Sequence, residues 1–205
     1  MRKKSHISLA MYIADSLGED VLSRHRKAFC IGSILPDCKF SFLTTKHEFT
    51  GTISMVKNKI REMTTDYDPA SQSERKYVID LGQVLHYIAD YFTFPHNATY
   101  DGNLKDHCAY EKELKFSLRS YIRSGEAHRV SANSFECPNC DALFSFLEKA
   151  HQEYLSMKRN VEEDCIYIVR ICHQVAEAIL SLLNIQKAKA YAFSYPQYST
   201  RVPQF

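Results

Sequence analysis

The sequence predicts an all-α fold, a single bundle of about seven or more helices closed around a cleft that holds several metal ions. Three observations carry this. Only six Gly and six Pro occur in 205 residues, too few breakers for a many-turned β fold. Apolar residues recur at helical spacing through most of the chain. Thirty residues, Gly82 to Glu111, hold five metal-ligand side chains: His86, Asp90, His96, His107 and Glu111. One well-buried domain suits this length, so residues 1–193 are read as that domain and 194–205 as an irregular tail.

In chain order, Ser5 is read as the cap of a first helix that ends near Leu17-Gly18, with Ile7, Met11 and Ala14 on its apolar face. A second helix runs from about Glu19 to Ile34 and stops ahead of Pro36, because proline pushes its predecessor out of the α region. Leu35-Pro36-Asp37 is a turn that projects the Asp37 carboxylate from fixed backbone. His47 follows in a polar segment, before a helix from about Thr50 to Met63. Residues 64–73, TTDYDPASQS, read as a loop. The next helix, about Ser73 to Thr93, is central: Tyr77, Val78, Leu81, Val84, Leu85, Ile88, Tyr91 and Phe92 leave little of its circumference for solvent. On it Gln83, His86 and Asp90 fall within about 60° of one another. Such a buried polar stripe needs partners, and a metal supplies one. Gly82, one turn before His86, admits the close approach of another segment. Pro95 ends this helix, and His96 follows in a turn. Asn103 caps a helix from about Leu104 to Ser124, which carries His107 and Glu111 in its first turns. A polar loop containing CPNC, Cys137 to Cys140, leads to a helix from about Asp141 to Arg159. The last helix, about Val161 to Phe193, follows the period Ile168, Ile171, Val175, Ile179, Leu182.

Composition narrows the partners. A formal charge of +2 is too small to imply nucleic acid or an anionic membrane. Seven Cys, an odd number spread through helical sequence, do not make a secreted disulfide framework. MRKK followed by ISLAMYIA has the outline of a signal peptide, but Ser8, Tyr12 and Asp15 interrupt the run and its apolar residues fit one helix face. The expected location is therefore cytoplasmic, with secretion as the alternative. No run is read as long enough to cross a bilayer.

The chemistry lies between Gly82 and Glu111. His86-x3-Asp90 and His107-x3-Glu111 are i,i+4 pairs, which stack both side chains on one helix face where they can close on one ion. A structural zinc would favour Cys ligands and stop at four. Imidazoles and carboxylates in excess of four point instead to more than one metal and to hydrolysis. Taken alone, His86 and Asp90 would be a buried hydrogen-bonded pair; His96, His107 and Glu111 downstream turn the balance to metal. His6 alone fits an ordinary core or surface histidine nearly as well as a ligand, and a plain turn residue is the lesser reading of Asp37. Cys137 and Cys140 are half a zinc knuckle with no second CxxC. His25, His128, His151 and His173 have no partner pattern. Glu148-x2-His151 is one Glu-x-x-His, where a di-iron bundle needs two.

Taken in order, His6, Pro36-Asp37, His47, His86-x3-Asp90-x5-His96 and His107-x3-Glu111 resemble the ligands of the zinc-dependent phospholipase C family over roughly residues 5–115. The resemblance implies an all-α phosphodiesterase with three zinc ions in a cleft. Asp37, His47, His86 and Asp90 would hold one zinc, and His96, His107 and Glu111 a second together with a water. His6 would hold a third, sharing Asp90 as a bridge, so two or three Zn²⁺ are expected. A metal-acidified water would attack phosphorus, with Asp37 also orienting it as the catalytic residue. The implied substrate is a phospholipid or another small phosphodiester. The match departs in three places. Secreted members begin with a Trp whose amine and carbonyl bind the third zinc; this chain has no Trp, and Met1, which five residues can carry at most about 18 Å from His6, has no residue match. Choline-preferring members carry an aromatic where Cys38 stands, so a cation–π pocket would be rebuilt from Phe40, Phe42, Phe49 or Tyr91. Finally, 205 residues leave no room for the β-sandwich membrane domain of some members, and access to packed bilayers is not expected.

Two rival functions fit part of the pattern. Single-strand-specific zinc nucleases share the ligand order but end on His-x3-Asp after a longer gap. Glu111 and the ten-residue gap after His96 favour the lipase side, as does the near-neutral charge. The other rival is a helical protein in which zinc holds the bundle together without catalysis. An HD-type phosphohydrolase needs a His-Asp dipeptide, and none occurs.

Overall fold

A computed structural model describes residues 1–38, 48–68, 72–131, 136–157 and 160–194. Its helices are α1 (Lys3–Leu17), α2 (Asp20–Arg24), α3 (Arg26–Gly32), α4 (Phe49–Met63), α5 (Glu74–Tyr91), α6 (Leu104–Arg123), α7 (Glu126–Ser131), α8 (Cys140–Ser156) and α9 (Val161–Ser194). Among the described residues two 3-10 turns, Pro36–Cys38 and Phe94–His96, stand apart from them. Among the described residues there is no strand. The fold is all-α, as the spacing predicts.

Helix α5 lies at the centre, packed by α3, α4 and α9. Its start is set by Ser73, whose side chain accepts a hydrogen bond from the Lys76 amide, one of the donors a helix N-terminus leaves unpaired. All eight apolar residues expected to surround it are buried. It ends at Tyr91 because Pro95, four residues on, removes a donor and clashes with a continuing helix. The crossing of α3 over α5 depends on two glycines. A Cβ on Gly82 would stand 2.6 Å from the Phe29 carbonyl oxygen and 2.7 Å from the Ser33 nitrogen, and one on Gly32 would run into the Ile79 carbonyl. Backbone therefore lies on backbone, one turn ahead of His86.

Several boundaries differ from the sequence reading. The helix expected from about Glu19 to Ile34 is two, because His25 (φ −111°, ψ 25°) leaves the helical region between α2 and α3. Its imidazole and Arg24 both reach Glu74 at the head of α5, so contacts with α5 compete with a straight helix. Helix α1 begins at Lys3 with Arg2 as a cap that makes no side-chain bond, and Ser5 is buried inside it. Its other end matches: Gly18, at φ 64°, closes the helix in the left-handed region. Helix α7 was not foreseen; it follows Gly125 (φ 80°) and is too short to show a period.

Helix α9 corrects the expectation that no segment is long and apolar enough to cross a bilayer. Val161–Lys187 meets that length and composition, and 78% of its most apolar window is buried inside the bundle. It packs against α1, α4, α5, α6, α7 and α8, as a core helix does. The irregular tail expected from residue 194 begins inside α9, whose last residue is Ser194; residues 195–205 lie outside the described residues.

Candidate metal centre

Five separate pieces of chain bring ligand side chains to one cleft: α1 (His6), the Pro36–Cys38 turn (Asp37), α5 (His86, Asp90), the Phe94–His96 turn (His96) and α6 (His107, Glu111). Six of these seven form two groups, each with ligand atoms within 4.8 Å of one another. His6, His86 and Asp90 are buried, and His96, His107 and Glu111 are half-buried. Asp90 touches both groups. Its Oδ1 lies 3.4 Å from His6 Nε2, and its Oδ2 lies 3.4 Å from His86 Nε2 and 3.8 Å from His96 Nδ1. Glu111 Oε1 stands 3.3 Å from both His96 Nε2 and His107 Nε2. Asp37 Oδ1 approaches His86 Nε2 at 3.5 Å. His47 lies outside the described residues.

The glycine crossing sets the state of His86. Because α3 lies directly on α5, the Ser33 carbonyl reaches His86 Nδ1 at 2.8 Å. A carbonyl only accepts, so Nδ1 carries the proton and Nε2 turns a lone pair toward Asp37 and Asp90. The His6 and His86 rings stack with centroids 4.0 Å apart. Burial, and then the neighbouring His6, push the His86 pKa down to about 3. Burial also lowers that of His6. Both imidazoles are thus neutral, the form that binds metal. For Asp90, burial opposes ionisation, but His96 and the N-terminal amine hold the carboxyl well below its ordinary range. Burial likewise opposes the Glu111 charge, and hydrogen bonds from His107 and His96 override it.

Two observations test whether a cation fits. His6 Nε2 is fully buried with no hydrogen-bond partner, a state that costs about 1–3 kcal/mol, and it faces the Asp90 carboxylate. A cation beside Asp90 would satisfy both. The second is the Met1 α-amine, which is buried, donates to Asp90 Oδ1 at 2.6 Å and lies 2.9 Å from His96 Nε2. It also pairs with Glu111 Oε1 at 3.2 Å. Burial disfavours its charge, but Asp90 and Glu111 raise its pKa above the ordinary 8.0. A positive group therefore already sits between the two ligand groups. Imidazole and carboxylate donors of this kind suit zinc.

An outer layer holds the turn that presents His96. Buried Asp164 of α9 accepts from the Phe94 amide (2.8 Å), the Tyr110 hydroxyl of α6 (2.8 Å) and the Tyr154 hydroxyl of α8 (2.6 Å). Asn97 donates to the Tyr91 and Thr93 carbonyls and receives the proton of His151 Nε2 at 2.9 Å. Beyond the ligands a cleft of about 1000 Å³ opens, lined among others by Met1, Asp37, Glu48, Tyr100, His107 and Glu111. A family model described as zinc dependent phospholipase C matches residues 5–161. The chain belongs to the zinc-dependent phospholipase C family. Neither a search of curated proteins nor one of solved structures returns a match.

Within this family's pattern, the structure brings together seven of the eight residues the sequence singled out: His6, Asp37, His86, Asp90, His96, His107 and Glu111. Glu48, Asp164 and Asn97 were missed, and Met1 entered only through its reach. A backbone amine carries no signature but its reach, and Asp164 acts from a helix more than fifty residues away. His151 is an outer-layer residue rather than an unpatterned one, and burial pushes its pKa down to about 4. His25 pairs with Glu74, and His173 meets Ser16, both away from the cleft. Cys137 and Cys140 are free thiols; Cys140 Sγ packs against the Thr64 and Thr65 hydroxyls, and no metal-ligand group among the described residues includes either. The aromatic pocket does not form from Phe49 and Tyr91, since Phe49 stacks on His151 and Tyr91 is buried on Thr52. Phe40 and Phe42 lie outside the described residues.

Proposed function

We propose that the protein is a zinc-dependent phosphodiesterase of phospholipase C type, which cleaves a phospholipid-like diester on its glycerol side. The observation that carries this reading is Asp90, a buried carboxylate placed to bridge two ligand groups whose outer one opens on the cleft. His6, His86 and Asp90, joined by Asp37, would hold the inner metal or metals, and His96, His107 and Glu111 the outer one. Bound zinc would supply an acidified water and neutralise charge on the phosphoryl oxygens. Asp37 both approaches His86 and lines the cleft, which suits a carboxylate that orients the attacking water and takes its proton. The Met1 amine is held by Asp90 and Glu111, and the resemblance implies a terminal amine beside the third zinc.

The test is metal content by elemental analysis, followed by turnover of a chromogenic phosphodiester. Two or three zinc ions per chain are expected, with turnover at least about a hundredfold lower in Asp37→Asn, on the scale of a general base. Helical content should be retained in that variant. Zinc bound without detectable turnover in the parent protein would leave the metal a structural role and overturn the enzymatic reading.

A further inference from the structure

The exposed cations of this molecule fall into two classes. Several are paired: Arg24 with Glu74, Arg26 with Asp15, Lys57 with Glu148, Lys59 with Glu62 and Lys76 with Asp80. Those of α6 are not. At about 100° per residue, Lys105, Lys112, Lys115, Arg119 and Arg123 fall within an arc of about 80° along the helix. The helix's other carboxylates, Asp106 and Glu113, lie beyond that arc, and Glu111 turns into the cleft. Among the described residues none of the five cations has a carboxylate at ion-pair distance.

Apolar side chains are set among these cations. Leu104 is 78% exposed and Phe116 55%, and Lys115 Nζ lies 4.0 Å from the Phe116 ring centre. The start of α1 extends the face: Arg2 donates to the Cys108 carbonyl at 2.9 Å, and Lys3 and Lys4 are exposed. Desolvation, and then the charges of Arg2, Lys4, Arg119 and Lys112, hold the Lys115 ammonium below its ordinary pKa, so these cations act on one another. The face also runs into the cleft, since Arg2, Lys3, Leu104 and Cys108 line its mouth.

We propose that this α1–α6 face docks the protein on an anionic phospholipid surface. Unpaired Lys and Arg attract acidic headgroups, while Leu104 and Phe116 enter the interface between headgroup and acyl chain, the combination by which amphipathic helices lie on membranes. A net charge of +2 conceals the face because 26 cations and 24 carboxylates nearly cancel over the whole chain. The proposal deepens the phospholipase reading by naming how a lipid reaches the cleft, but docking does not require turnover.

The experiment is co-sedimentation of the full chain with phosphatidylcholine vesicles, with and without phosphatidylserine, in low and high salt. Binding is expected only with phosphatidylserine, weakened by salt, and at least about tenfold weaker in Lys112→Glu/Lys115→Glu/Arg119→Glu. Phe116→Ser should weaken it without changing its salt dependence. All three proteins should turn over a soluble chromogenic diester equally and have the same helical content. Equal binding to neutral and acidic vesicles, or no effect of the triple reversal, overturns the proposal. So does binding of the face to a single-stranded oligonucleotide with none to vesicles. If no variant turns over the soluble diester but vesicle binding behaves as stated, the phospholipase reading fails and the docking surface stands.

Discussion

Asp90 joins the greatest number of functional groups of any side chain in the cleft: both ligand groups and the Met1 amine. Its i,i+4 relation to His86 was legible because a helix has a fixed pitch, and the shape of the buried stripe follows from that pitch. Its contact with Met1 was not legible, since a terminal amine leaves no pattern in a sequence. Without metal, Asp90 is the buried counter-ion of the Met1 ammonium. Asp90→Asn preserves size but leaves that cation with Glu111 alone, and breaking one side of a buried ion pair costs up to about 3–5 kcal/mol. Urea unfolding in the presence of chelator should register that loss. Elemental analysis should show that the variant keeps at most the metal of His96, His107 and Glu111. Unchanged stability in chelator would mean that the Met1 amine does not pair with Asp90.

At the scale of elements, the turn Phe94–His96 is where the site is most exposed to error. Pro95 announced a turn, but its orientation comes from Asp164 on α9 and from Asn97 and His151, which the sequence could not connect because they come together only when α5, α8 and α9 pack. Asp164 accepts three hydrogen bonds with two carboxylate oxygens. Asp164→Asn leaves one accepting oxygen and adds two donors that face donors already there. His96 should then lose its orientation while His6 and His86, held by α1 and α5, keep theirs. Outer-layer losses of this kind cost about 10–100-fold in metal affinity. Competition with a chromogenic chelator should show one class of zinc weakened by that amount and the rest unchanged. The crossing of α3 and α5 offers a second test, of fold rather than site. Gly82 was legible as a place of close approach, and Gly82→Ala puts a methyl 2.6 Å from the Phe29 carbonyl oxygen. A stability loss of about 1–3 kcal/mol is expected from such overpacking, with a weaker His86–Ser33 bond. An alanine variant as stable as the parent would show that the helices can separate there at no cost.

For the whole molecule, fold class and core were legible because apolar periodicity is local, whereas the distribution of charge was not. The net charge says nothing of which cations find carboxylates, and only the folded packing separates the paired ones from those on α6. Protonation is likewise set by the assembled fold. Burial lowers the pKa of His6, His86, His151 and His173. Below their ordinary value of about 6.5 the unfolded chain therefore binds more protons than the folded one, and stability falls as pH falls. For His86 that window reaches down to about 3. The Met1 amine has the opposite sign. Its raised pKa contributes stability that is complete below about pH 8 and is lost as pH rises through the folded value. Asp90 and Glu111, with lowered pKa values, contribute a constant amount above about pH 4.5 and so do not shape the neutral range. The metal-free protein should accordingly show a urea midpoint that rises from about pH 5 to 6.5, stays level to about 8 and then declines. Zinc requires the same imidazoles to be neutral and displaces protons when it binds. Its presence should therefore steepen the acidic limb and raise the plateau. A midpoint that is flat across the acidic range, with chelator and with zinc alike, would show that these histidines are charged within the fold and do not hold metal.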